Sequence, residues 1–161
     1  MSDFLGKLST YNLFNYLFTG VLFVAMASYF TTFSFIQENL ILAPFVYYFI
    51  GLVLSRIGSL IIEPILKWVK FVHFADYSHY MTASKNDPQI EILSEANNMY
   101  RTLCALFVVL IFLKIYSIAE QTYPVLHSFN IPALIAGLFL MFLFAYRKQT
   151  NYITKRIAKN M

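Results

Sequence analysis

The chain has 161 residues, of which 59% are apolar and 19% aromatic, and it carries 12 Lys and Arg against 8 Asp and Glu. A soluble domain of this length cannot hide so much apolar surface, and its 12% charged residues compare with roughly 25% in soluble proteins. The basic excess sits at the edges of apolar runs, so it reads as membrane topology, and no direct nucleic-acid binding is expected. Cys104 is the only cysteine, which excludes an intrachain disulfide and a thiolate metal cluster within one copy.

The fold class predicted is all-α and polytopic, with four transmembrane helices over about 12–34, 40–64, 102–122 and 129–146. Leu8 to Gln37 contains no charge, longer than the roughly 20 residues that cross a bilayer. Its charged lead (Asp3, Lys7) is weak and no Ala-x-Ala site follows, so it reads as a retained span and not a cleaved signal. Asn12, Asn15 and Thr19 step by three and four along this span and share one stripe. That stripe serves either hydrogen bonding between helices or a hydrated path.

Span two holds Gly51, Ser55 and Ser59, a small residue every fourth position, which lets another helix approach closely. Arg56 lies within the same run, and a guanidinium at that depth must be paired, hydrated or lifted toward the headgroups. Glu63 shares its face two turns on, about 10 Å away by helical rise, too far for a direct pair within one helix. Pro64 follows; it lacks an amide donor and clashes with the Leu60 carbonyl, which predicts a kink at the membrane surface.

Between spans two and three, residues 67–101 are predicted to form a helical hairpin. Trp68, Phe71, Val72, Ala75 and Tyr80 recur at helical spacing, so span two should continue as helix toward Thr82. Asp87 reads as an N-cap with Pro88 at the first helical position, opening one helix from about 88 to 122. His79, Glu91, Glu95, Asn97, Asn98 and Arg101 are the candidate partner-binding residues of this hairpin. His73, Asp76 and His79 do not share a face and form no metal site. Lys114, in the far half of span three, reads as a snorkelling charge or lipid contact, like Arg56 and Glu63.

Span four offers Ala133 and Gly137 as a second small-residue packing face. The basic tail 147–161 interleaves Tyr152, Ile153 and Ile157 with cations, a pattern suited to anionic lipid. Lys and Arg cluster before span one, between spans two and three, and after span four, which places both termini and the hairpin in the cytoplasm. The whole chain, 1–161, reads as a single membrane domain.

Neither a phosphate-cradling loop, nor a nucleophile elbow, nor a metal-binding His/Glu pair occurs, so no catalytic residue, metal or cofactor is assigned. The leading expectation is a non-enzymatic membrane subunit that forms homo-oligomers and engages a cytoplasmic protein through the hairpin. An ion-conducting or membrane-disrupting channel is the alternative, motivated by Arg56, Lys114 and the polar stripe of span one.

Four spans, inside termini and a charged stalk, with Ser55-Arg-Ile-Gly-Ser59 and Asn97-Asn-Met-Tyr-Arg101, resemble the small membrane subunits of bacterial phage-defence operons, the Kiwa-type subunit in particular. That resemblance implies an inner-membrane homo-oligomer that senses envelope perturbation and anchors a cytoplasmic effector. It assigns no functional residue.

Overall fold

A computed structural model describes residues 2–160, with side chains over 11–158; those of Lys7 and Lys159, both part of the charge pattern, lie outside that range. The described chain is all-helical, and four helical segments are long and apolar enough to cross a membrane. It is an integral membrane protein. Helix α1 is Ser2–Phe30. The second span, Ala43–Trp68, joins α2 (Ala43–Ile57), a π-helical turn (Gly58–Ile62) and α3 (Glu63–Trp68) without interruption. A short α4 (Tyr77–Asn86) precedes α5 (Gln89–Thr122); a 3-10 turn (Pro124–Phe129) then leads into α6 (Asn130–Asn160).

Helices α1, α2 and α5 form the packed unit. Its core is Phe23, Val24 and Ala27 of α1, Leu54 of α2, and Leu106 and Leu110 of α5. The closest approach is between α1 and α2 at Gly20 and Gly51. A Cβ on Gly20 would overlap the Tyr47 carbonyl, and one on Gly51 the Tyr16 carbonyl. Backbone thus lies on backbone, the arrangement for which membrane helices use glycine. Gly51 was legible as a packing residue; its counterpart Gly20 was not singled out. At the end of the bundle opposite the basic cluster, Thr32 and Ser117 tie α5 to the chain leaving α1, with hydroxyl oxygens 2.9 Å apart.

Helix α6 stands differently. Its apolar stretch has no buried share, against 28–33% for the other spans. It leans on α2, for example through the Phe49 and Phe142 rings 6.1 Å apart, and leaves the rest of its surface open. The basic tail is no separate element but the last turns of α6.

The expected hairpin is corrected in one half. Helix α5 does run unbroken from Gln89 to Thr122, about 50 Å long. The Asp87 side chain accepts the Gln89 amide at 2.9 Å, the N-cap contact expected of it. Span two, however, stops at Trp68. Lys70 adopts a left-handed backbone (φ 59°), the Lys70 amide bonds the Lys67 carbonyl, and the Phe71 amide bonds the Leu66 carbonyl. These are the paired bonds of a Schellman stop, with lysine where glycine is usual. The side-chain periodicity that predicted helix through this point carries no information about such a backbone reversal. The hairpin that exists is α4 folded back against the start of α5.

Candidate functional site: an ion cluster at a proline-widened turn

Pro64 organises the basic end of the bundle. Without an N–H it cannot continue the hydrogen-bond ladder, and the helix ahead of it widens into the π turn Gly58–Ile62, the single-turn form in which π geometry mostly occurs. The Glu63 amide bonds the Gly58 carbonyl, five residues back. The Ser59 carbonyl is thereby skipped: residue 63 has bonded elsewhere and residue 64 has no proton to give. Lys148 of α6 fills the gap, its Nζ donating at 2.7 Å to both the carbonyl oxygen and the hydroxyl of Ser59. The π turn ahead of Pro64 is therefore also a docking point for the fourth helix.

Glu63 lies at the centre of three cations. Its side chain is 9% exposed. Lys67, one turn on, bonds Oε1 at 2.8 Å, and Arg101 of α5 bonds Oε2 at 2.5 Å. Lys148 approaches Oε1 to 3.9 Å. One carboxylate thus ties the second, third and fourth spans together. Close passage of α5 is permitted by Gly58, where a Cβ would stand 3.1 Å from the Arg101 carbonyl oxygen. In low dielectric such a constellation is worth more as a fixed geometry than as net stability, because every ion has lost hydration.

Arg56, two turns before Glu63, lies outside these pairs. It is half-buried and, among the described residues, has no hydrogen-bond or carboxylate partner. It lines an open cleft with Ser59, Leu60, Ala145, Lys148, Gln149 and Tyr152.

The other expected residues divide. Ser55 is buried in the packed unit, and Ser59 serves the Lys148 contact. Ala133 and Gly137 are exposed, and a Cβ on Gly137 would meet nothing within 4 Å, so neither packs within the chain. Lys114 is exposed on α5. Asn15 and Thr19 are buried among the spans, and the Thr19 hydroxyl bonds the Asn15 carbonyl at 2.8 Å. His79 and Asn97 are exposed on the head formed by α4 and the start of α5; Glu91, Glu95 and Asn98 are half-buried there. The Asn98 carbonyl accepts the Thr102 hydroxyl. Arg101 belongs to the Glu63 cluster and not to this outer face.

Two groupings were not foreseen. Lys148 belongs in sequence to the lipid-suited basic tail, and nothing local reports that it crosses to Ser59. Lys67 did carry a signal, four residues after Glu63 on one helix. At the far end, Tyr116 donates to Asn130 Oδ1 at 2.6 Å, and Asn130 and His127 converge on Glu120 Oε1 at 2.7 and 2.9 Å. This network closes the connection between α5 and α6. No family model, curated protein or solved structure matches the chain.

Proposed function

We propose that the chain is a non-enzymatic subunit of a membrane assembly, built from copies of itself and holding a cytoplasmic protein at the α4–α5 head. The observation that carries this reading is the bareness of α6, a spanning helix with no buried share of its apolar stretch and with Ala133 and Gly137 open on its surface. A second copy is the occupant suited to such a helix, because small residues permit close approach. The distribution of Lys and Arg orients the Glu63 end and the head toward the cytoplasm, in the inner membrane if the source is bacterial.

The Glu63 cluster gives this assembly a means of sensing. It ties α6 to α2 and α5 through long side chains at one end, so a change in bilayer packing around α6 would be felt at the start of the head. A place in antiviral defence, where envelope perturbation is the signal, fits that arrangement. The channel reading draws less support, since Asn15 and Thr19 face neighbouring spans of their own chain.

The test is recovery of a soluble partner with tagged protein from native membranes. Glu91→Lys and His79→Ala should each reduce that recovery several-fold, while Lys114→Gln, far from the head, leaves it intact. Equal recovery by all variants would remove the head as the docking surface.

A further inference from the structure

We propose that the cleft between α2 and α6, lined by Arg56, Ser59, Lys148, Gln149 and Tyr152, binds the phosphate of an anionic lipid headgroup. The cleft is rich in donors and poor in acceptors. Arg56 brings five N–H donors with no partner among the described residues. Lys148 gives two of its three protons to Ser59 and retains a third. The Ser59 hydroxyl, accepting from Lys148, keeps its own proton to donate. Gln149 and Tyr152 add an amide and a phenol, neither hydrogen-bonded within the described chain, and Lys148 Nζ stands 5.9 Å from the Tyr152 ring.

No carboxylate lines the cleft among the described residues. The nearest, Glu63, already bonds Lys67 and Arg101 and lies 3.9 Å from Lys148. Two cations side by side in a half-buried site, whose nearest carboxylate is already bonded by Lys67 and Arg101, leave uncompensated positive charge. A ligand that supplies only acceptors and negative charge resolves it. Phosphate does so, and the planar fork of arginine bonds it through two oxygens.

Depth selects the lipid as source. Lys148 lies about 27 Å of helical rise beyond Asn130, close to the roughly 30 Å thickness of the hydrocarbon core, so the cleft opens near the headgroup layer. Arg56 sits deeper on α2 and reaches that level along its stem, as long cations in membrane helices do. Leu60 and Ala145 supply an apolar floor beside the acyl chains.

The site is independent of any protein docked on the head, and its test does not involve one. The purified full chain in mild detergent is incubated with phosphatidylglycerol, phosphatidylcholine or soluble glycerol phosphate, and retained ligand is read by native mass spectrometry. Wild type should hold phosphatidylglycerol in preference to phosphatidylcholine. Arg56→Gln, which removes no bond within the chain and so should fold, should weaken retention about tenfold, the scale of one lost charge-assisted hydrogen bond. Arg56→Lys should fall between the two, keeping charge without the fork. Lys85→Gln, on the last turn of α4 and outside the cleft lining, should leave retention unchanged.

Retention of soluble glycerol phosphate with the same dependence on Arg56 would uphold the phosphate site and overturn the lipid as its source. Equal retention of the two lipids, or retention untouched by Arg56→Gln, would overturn the site itself.

Discussion

Replacing Glu63 with Gln is expected to cost about 3 kcal/mol of stability, the scale of removing one partner from a buried ion pair. The variant keeps the volume and loses the charge. Arg101 and Lys148, with side chains 19% and 26% exposed, then face each other with no anion between them. Lys67 is 44% exposed and can turn to water, so Lys67→Gln should cost no more than about 0.5 kcal/mol. Loss should also appear as looser seating of α6, because the attraction that holds Lys148 over Ser59 weakens. The thermal midpoint in mild detergent checks this, with Arg101→Gln and the double variant completing a cycle. Coupling between Glu63 and Arg101 should exceed that between Glu63 and Lys67. A midpoint unmoved by Glu63→Gln would mean that the cations are held by water or lipid and not by this carboxylate.

The second large effect is expected at Gly51. Even alanine there places a methyl inside the Tyr16 carbonyl, and the obstacle is backbone, which cannot swing aside. Helices α1 and α2 must separate, at a cost of about 2–3 kcal/mol. Gly20→Ala should behave alike, and the double variant should cost less than the sum, since one separation relieves both overlaps. Gly137→Ala is the control for packing within the chain: the site is open there, so apart from up to about 1 kcal/mol of gained helix propensity any change must come from contacts between copies. These three variants share one chemical change, so their midpoints compare directly. If Gly51→Ala and Gly137→Ala were equally benign, the backbone contact would not exist in the folded protein.

The parts of this architecture that were legible in sequence are those set by composition and local chemistry. Runs without charge located the spans, the Asp87–Pro88 pair located the start of α5, and Pro64 located the irregular turn in span two. The small-residue spacing marked Gly51 and Ser55, which are indeed buried. Features that depend on which helices meet were not legible. Gly20 becomes a contact only because α1 lies on α2 there. Lys148 becomes a capping donor only because α6 crosses the turn where Pro64 has freed a carbonyl. The stop at Trp68 was hidden for another reason: the left-handed residue is Lys70, and lysine gives no hint of a conformation that glycine advertises. Arg101, grouped in sequence with Asn97 and Asn98 at the end of the hairpin, bonds Glu63 of the second span, a partner that sequence spacing does not name.

The Ala133–Gly137 face divides by the level at which it is judged. Among the described residues Gly137 meets nothing within 4 Å and Ala133 is exposed. The proposed assembly assigns this face to a second copy.

Assembly through α6 is tested most directly by disulfide trapping in native membranes. On a Cys104→Ser background, cysteine replaces Gly137 on α6 or, as a control, Ile111 on the exposed side of α5. A disulfide needs Cα atoms within about 7 Å, so only a close and persistent helix contact gives a high yield under mild oxidation. The expected result is a cross-linked dimer from Gly137→Cys and little or none from Ile111→Cys. Monomer alone from Gly137→Cys, or equal yields from both positions, would contradict α6 as the surface on which copies assemble.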